Sequence, residues 1–174
     1  MSSGFEAIVW KENKIVLLDQ TQIPISETYI SYDELAPYID AIQRLVVRGA
    51  PALGVAGAFG VVLVIDEAAR KEHSAQELEH NLDLLRDARP TAVNLAWAVE
   101  KIRKHLPEGR DAVLAAAHKL ASEDKQSSTD MGNIVADWLI NKLGSKPVTL
   151  LTHCNTGSLA TTGTGTALGV IKEM

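Results

Sequence analysis

The single cysteine of the sequence, Cys154, lies in a segment whose residue types suit catalysis. It follows His153 and an apolar run at residues 148–152, and it begins a loop rich in Asn, Thr and Gly. A neighbouring cation and loop N–H groups favour the reactive thiolate, whereas apolar surroundings favour the thiol. The sequence leaves both environments open, and a lone cysteine is also commonly a small buried apolar residue. Cys154 is therefore a candidate catalytic thiol.

Residues 48–51 (Arg-Gly-Ala-Pro) suit the binding of an anion. Proline is favoured in the first turn of a helix, because its missing N–H has no partner there. We therefore expect Arg48, Gly49 and Ala50 to lead into a helix whose N-terminal dipole attracts a phosphate. The Arg48 guanidinium would add a forked and permanently charged grip. The alternative is an ordinary loop with a surface arginine.

Residues 89–91 (Arg-Pro-Thr) form a second candidate binding turn. Pro90 disfavours the helical region for Arg89, and Thr91 is positioned to cap the helix that follows. Arg89 in such a turn can point at a ligand, although an arginine with no further signal is more often solvated.

No metal or cofactor site is indicated by the sequence. His153 and Cys154 have no further ligand at zinc-like spacing. Residues 163–169 resemble a dinucleotide-binding loop only loosely, since Gly169 comes one residue late. We therefore expect no metal and no cofactor.

The elements that must position these residues fall into three zones. Residues 1–30 predict a small antiparallel β element, with a hairpin around Glu12 and Asn13 and a further strand at residues 28–30. So little sheet is unstable alone and must pack on another element. We expect it to pack on the helices that follow.

Residues 31–145 predict a helical domain. Capping boxes at residues 31–34 and 74–77 predict helix starts, and residues 52–69 are apolar nearly all round, which is typical of a central buried helix. Further apolar stripes at helical spacing predict core-facing helices, with a break near residues 127–128. Gly144 is a candidate C-cap. The stripes comprise Leu78, Leu82 and Leu85; Leu95, Val99, Ile102 and Leu106; Val113, Leu114, Ala117, Leu120 and Ala121; and Met131, Ile134, Val135, Trp138 and Leu139.

Residues 146–174 predict the first strand, loop and helix of a Rossmann-like parallel-sheet domain. Residues 148–152 have the β-rich apolar character of a strand buried on both faces, and residues 167–172 predict a helix. Ligands of such folds bind beyond the carboxyl ends of the strands, where Cys154 would lie. One strand and one helix cannot make a parallel sheet, so we expect further strands from elsewhere. The predicted fold class is thus α+β leading into α/β.

Composition narrows the class of protein. The 174 residues are 46% hydrophobic and 22% charged, which is enough for a sizeable core in one or two domains. The formal net charge is -5 and the basic residues are scattered, which argues against nucleic-acid binding. The sequence predicts no membrane-spanning run and no secretory leader, and one cysteine cannot form an internal disulfide. We expect a cytoplasmic protein with a reduced thiol and no membrane partner.

Four segments in order resemble the methylthioribose-1-phosphate isomerase family of methionine salvage. The resemblance spans the whole chain, and its last two segments are specific in combination. The same superfamily includes ribose-1,5-bisphosphate isomerases and non-enzymatic regulatory subunits of the translation initiation factor 2B exchange complex; the intact cysteine motif favours the isomerases. The four segments are residues 18–20 (Leu-Asp-Gln), 48–54 (Arg-Gly-Ala-Pro-Ala-Leu-Gly), 89–95 (Arg-Pro-Thr-Ala-Val-Asn-Leu) and 152–157 (Thr-His-Cys-Asn-Thr-Gly).

The resemblance implies a role for each matching residue. Arg48, Gly49 and Ala50 would bind the substrate, chiefly its phosphate, with help from Arg89, and Cys154 would be the catalytic thiol. The implied substrate is a small phosphorylated sugar, 5-methylthioribose 1-phosphate, which is converted to the ribulose isomer. Family members usually form homodimers through the α/β domain.

The family's acid, an aspartate well downstream, and a neighbouring Asn-Lys pair have no counterpart in these residues. Asp124, Asp130 and Asp137 lie in the helical zone and do not match that motif. We therefore expect an N-terminal portion of such an isomerase, inactive without the missing C-terminal α/β segment. The alternatives are a non-catalytic ligand-binding subunit related to the exchange complex and a ribose-1,5-bisphosphate isomerase.

Overall fold

The computed structural model describes residues 6–144 and 147–174. A three-stranded antiparallel sheet comes first, with β1 (Ile8–Lys11), β2 (Lys14–Leu18) and β3 (Tyr29–Tyr32) in sequential order. Glu12 and Asn13 both adopt positive φ, as a two-residue hairpin turn requires. The predicted hairpin and third strand are therefore confirmed. Ile15 and Leu17 are fully buried and join the helical core, which fastens the sheet to it.

The capping box predicted at residues 31–34 is wrong. Ser31 lies in β3, opposite Val16, and helix α1 (Leu35–Gln43) begins only after Glu34, whose side chain makes no cap. The first N–H of α1 is instead satisfied by the carboxylate of Glu67, on the next helix. A partner that is distant in sequence therefore replaces the local cap.

Helix α2 (Ala50–Lys71) is the centre of the fold. It packs against α1, α3, α4, α5 and the sheet, and all of its residues from Ala52 to Val64 are buried. By length and composition α2 would pass for a membrane span, contrary to the expectation from the sequence, but 83% of its most apolar 18-residue window is buried inside the protein. Burial of that kind is typical of a soluble core helix.

The remaining helices of the domain are α3 (Ala75–Arg86), α4 (Val93–Arg103) and α5 (Arg110–Leu143). The capping box at the start of α3 is confirmed, since Ser74 and Glu77 satisfy each other's backbone N–H groups. The predicted cap by Thr91 is wrong, because Ala92 rather than Thr91 is the N-cap of α4. Helix α5 runs unbroken through residues 127–128, and it ends at Gly144, the predicted C-cap.

The two halves of α5 differ in burial. Val113, Ala117 and Leu120 lie in the core as predicted. The stripe in the second half is not core: Ile134 and Trp138 are 69% and 56% exposed, and Met131 is exposed as well. A periodic apolar stripe predicts a helix face but does not reveal whether another element covers it.

Residues 147–174 form no strand. The segment at 148–152 is exposed and pairs with no strand of the described chain, because a parallel strand needs neighbours that these residues do not supply. A 3₁₀ turn (Ser158–Ala160) and helix α6 (Ala167–Glu173) follow, and α6 packs on α5. The α+β description is confirmed, while the Rossmann-like part stays a prediction. So does the domain division, whose boundary at residues 145–146 lies outside the described residues.

Candidate active site

The turn before α2 has the form that the sequence predicts for an anion site. Gly49 is the N-cap of α2, with φ of 96°, and Pro51 lies in the first turn. Among the described residues no side chain caps this end, and Pro51 has no N–H, so Gly49 and Ala50 carry the backbone N–H groups that a ligand could reach. The N-terminus of a long helix carries a partial positive charge and binds anions through such groups.

A second helix begins beside this turn. Gly54 of α2 lies against Asn94 of α4, and Gly57 lies against Leu95 and Val99. The residue numbers of the two helices rise together along this contact, so α2 and α4 run parallel with their N-termini at the same end. A cavity of about 300 Å³ opens there, lined by Pro51 and Asn94 and also by the carboxylates of Glu123 and Asp124 on α5. Two positive helix ends therefore lie side by side.

The arginines of the two candidate turns differ from most others in the chain. Arg48 donates its Nε hydrogen to the Leu45 carbonyl at 3.1 Å, and the side chain is exposed. Within residues 6–144 and 147–174, neither Arg48 nor Arg89 pairs with a carboxylate, which leaves their charge available for an anionic ligand. Four other arginines do form carboxylate pairs: Arg44, Arg86, Arg103 and Arg110.

Cys154 lies on the surface and is not a buried apolar residue. Its thiol is exposed, and its Sγ lies 3.1 Å from Nδ1 of His153. Its φ of 70° is unusual for a residue with a side chain and marks a sharp bend just before the loop. The imidazole is a proton acceptor or donor within direct reach of the thiol, a role for His153 that its position in the sequence only hints at.

The loop that follows Cys154 closes on itself. The Thr156 carbonyl accepts hydrogen bonds from the N–H groups of Thr166 and Leu168, at 2.8 and 3.3 Å. Gly165 has φ of 102° and passes so close to Thr156 that a Cβ there would lie 2.5 Å from its carbonyl oxygen. The polar Gly/Thr composition thus builds a compact loop over residues 156–166, which follows Cys154 and which we call the Cys154 loop.

The Cys154 loop packs directly on the turn before α2. A Cβ built at Gly49 would lie 2.5 Å from Cβ of Ala160, far inside van der Waals contact. Only glycine combines that close approach with the positive φ at this position. The structure therefore brings together two of the segments that the sequence singles out, although they are more than 100 residues apart.

Asp124 is an anchor of this loop that the sequence does not reveal. Its Oδ2 accepts hydrogen bonds from the backbone N–H and the hydroxyl of Thr162, at 2.7 and 2.6 Å. Both bonds tie the loop to α5, so Asp124 has a structural role at this contact. No local pattern indicates such a role, because the two residues lie on different elements and 38 positions apart.

These features define a helical domain whose candidate anion-binding turn packs against the loop that follows an exposed thiol. The model of the initiation factor 2 subunit family matches residues 46–174, and the chain belongs to that family. The predicted resemblance to methylthioribose-1-phosphate isomerases and to their initiation-factor relatives is confirmed.

Named relatives include isomerases from several bacteria. The methylthioribose-1-phosphate isomerase of Azotobacter vinelandii is 41% identical over 96% of this chain and 48% of its own length. A probable bifunctional methylthioribose-1-phosphate isomerase/methylthioribulose-1-phosphate dehydratase of Nocardia farcinica is 38% identical over 97% of this chain and 31% of its own. The chain thus spans about half the length, or less, of the curated relatives it matches.

Two solved structures share the fold. The 5-methylthioribose 1-phosphate isomerase of Pyrococcus horikoshii superposes with a TM-score of 0.83 at 29% identity, covering 98% of this chain and 49% of that one. Subunit delta of translation initiation factor eIF-2B from A. fulgidus gives 0.79 at 37% identity, covering 98% and 51%. One is named an enzyme and the other an initiation-factor subunit, so the fold alone does not fix the activity.

Proposed function

We propose that this chain is part of an aldose–ketose isomerase that converts 5-methylthioribose 1-phosphate to 5-methylthioribulose 1-phosphate in methionine salvage. The observation that carries the proposal is the contact between the Cys154 loop and the Arg48 turn, at the paired N-termini of α2 and α4. The names of the bacterial relatives supply the substrate. The complete enzyme would be a cytoplasmic homodimer.

The phosphate would bind at the paired helix ends. Backbone N–H groups at Gly49 and Ala50 would meet its oxygens, and Arg48 and Arg89 would neutralise its charge. Neither arginine would first have to give up a carboxylate partner in the described part of the chain. This arrangement accounts for one phosphate, and the names of the relatives point to a methylthio sugar as the substrate.

The chemistry that follows must overcome the stability of the closed sugar ring. Because C1 carries the phosphate, the sugar has no free aldehyde to enolise. An acid must protonate the ring oxygen so that its bond to C1 breaks, which leaves an electrophilic C1 that still carries the phosphate. Hydrogen must then pass from C2 to C1, either through a base and an enediolate or as a direct hydride shift in an apolar pocket. Cys154 would act at this step as the base or by stabilising the migrating state, with His153 as its proton partner.

The acid for ring opening is not evident among the described residues. Asp124 touches the Cys154 loop but is occupied as an acceptor, and Asp130 accepts a hydrogen bond from Gln126. Cys154 is also open to solvent, whereas a hydride shift needs a dry pocket. We therefore propose that the chain is the N-terminal portion and requires a C-terminal α/β segment for turnover.

The decisive experiment is an NMR assay of 5-methylthioribose 1-phosphate. The chain should not turn it over alone. It should do so when mixed with the part of the Azotobacter vinelandii isomerase that this chain does not match. Turnover by the isolated chain would refute the proposal that it needs a C-terminal segment. Cys154→Ala should abolish turnover by the reconstituted pair, whereas Ser158→Ala, in the loop that follows Cys154, should leave it measurable.

The second candidate is a ligand-binding subunit without catalysis, favoured by the structural match to the initiation-factor subunit at 37% identity. In that case the sugar phosphate would raise the melting temperature of the chain through the two arginines. The NMR spectrum of the sugar phosphate would show no conversion, even with the complementary segment present.

A further inference from the structure

Gln20 has no part in the proposed reaction, although it belongs to the Leu-Asp-Gln segment that the family resemblance includes. It directly follows β2 and Asp19, and it is 5% exposed. A buried amide side chain is costly unless it makes hydrogen bonds, so its partners indicate its purpose.

In the described part of the chain, Gln20 donates two hydrogen bonds to residues that flank the candidate active site. Its backbone N–H donates to the Val46 carbonyl at 3.0 Å, two residues before Arg48. Its side-chain Nε2 donates to the Leu159 carbonyl at 2.8 Å, inside the Cys154 loop. Leu159 directly precedes Ala160, the residue that packs on Gly49. One residue therefore holds the chain on both sides of the contact between the two site segments.

We propose that Gln20 is a positioning residue, which fixes the Cys154 loop against residues 48–50 without touching the substrate. Its consequence for ligand binding rests on the function proposed above. The bond to Leu159 needs a neutral donor at the end of a three-carbon side chain. A carboxylate of the same shape would place negative charge against the carbonyl oxygen, and an apolar side chain would leave that oxygen without its donor.

Two substitutions separate the hydrogen bond from the volume of the side chain. Gln20→Met keeps the length and the backbone bond to Val46 but removes the donor. Gln20→Glu keeps the shape and turns attraction into repulsion at neutral pH. Gln22→Met is the matched control, because Gln22 is exposed and two residues away.

Amide hydrogen exchange of the 174-residue chain, followed by mass spectrometry, tests the positioning directly. Exchange in residues 156–166 should be roughly five- to tenfold faster in Gln20→Met, as the loss of one net hydrogen bond implies. It should be faster still in Gln20→Glu and unchanged in Gln22→Met. Unchanged exchange in this loop in Gln20→Met would overturn the proposal, and so would equal acceleration in α3 and α4.

The unique thiol gives a second readout at the site itself. Cys154 is the thiol that iodoacetamide alkylates in this chain. The rate of that alkylation, measured at increasing concentrations of 5-methylthioribose 1-phosphate, reports occupancy of the site. Half-protection should need at least about tenfold more ligand in Gln20→Met than in the wild type, because misplaced binding groups cost roughly this much or more. Equal protection in both would refute the positioning role. Absence of protection in the wild type would count against the proposed function, while hydrogen exchange would still decide the role of Gln20.

Discussion

The paired ends of α2 and α4 and the Cys154 loop meet at one site, but different forces hold them in place. The helix ends are fixed by burial: Leu95 and Val99 are fully buried where α4 packs on α2. The loop contributes few buried apolar side chains and is held by hydrogen bonds from Gln20 and to Asp124. Burial of a leucine is worth several kcal/mol, whereas each hydrogen bond is worth about one. The arginine turns should therefore be rigid, while the loop should be easily released.

The largest expected effect is that of Leu95→Ala. This change leaves a cavity between α2 and α4 and should lower the free energy of unfolding by about 2–5 kcal/mol. Both regions should lose structure together, as measured by urea denaturation. Ile134→Ala, on the exposed half of α5, is the control and should change it by no more than about 0.5 kcal/mol. If both substitutions lowered the free energy of unfolding by similar amounts, Ile134 would have to be buried against another element.

Gly49→Ala tests the contact between the two regions. The positive φ alone should cost roughly 1–3 kcal/mol, and the new Cβ would also collide with Ala160. Because the loop is the weaker partner, it should be displaced while the helices stay folded. Circular dichroism should keep its helical signal while exchange in residues 156–166 accelerates. Gly109→Ala shares the positive φ but has open space around it, so it should leave the loop unaffected.

Thr162→Val should release the loop without disturbing the helices. It removes the hydroxyl, and with it the contacts to Asp124 and to the Ala121 carbonyl on α5, at a cost of about 1–2 kcal/mol, and keeps the side-chain volume. We expect faster alkylation or weaker ligand protection of Cys154 with an almost unchanged melting temperature. Thr129→Val, which removes an exposed hydroxyl on α5, should behave like the wild type. A large fall in melting temperature would show that the loop belongs to the cooperative core.

The smallest effect concerns pH and the helical region alone. Burial raises the pKa of Glu67, but hydrogen bonds from Lys71 and the Leu35 N–H outweigh it, so the net pKa lies below its ordinary value of 4.5. A carboxyl whose pKa is lower in the folded than in the unfolded protein stabilises the fold at pH values above the unfolded-state pKa. That stabilisation is lost as the pH falls through the folded-state pKa. Glu67→Gln should therefore be less stable than the wild type at pH 7.

The difference in urea midpoint between Glu67→Gln and the wild type should shrink below about pH 4.5. A difference that stayed constant down to pH 3 would mean that the Glu67 charge does not stabilise the junction of α1 and α2. Ligand protection of Cys154 at pH 7 should be the same in both proteins.

Local patterns predicted most of the helical region, because its signals lie within one or two turns. Ser74 and Glu77 cap α3 through each other, and Pro51 marks the first turn of α2. The prediction at Ser31 was wrong for the same reason. Its spacing to Glu34 matches a capping box, but its backbone pairs with β2, which places it in a strand.

The sequence alone identified the candidate site residues by their types and local context. They are Arg48, Gly49, Ala50, Arg89 and Cys154. What only the tertiary structure decided is how they are held. Polar contacts between distant elements leave no periodic pattern, so neither the Gln20 bond to Leu159 nor the Asp124 bonds to Thr162 was predictable. An apolar stripe also does not show whether another element packs on it. The second half of α5 was therefore predicted as core, although it is exposed in the structure.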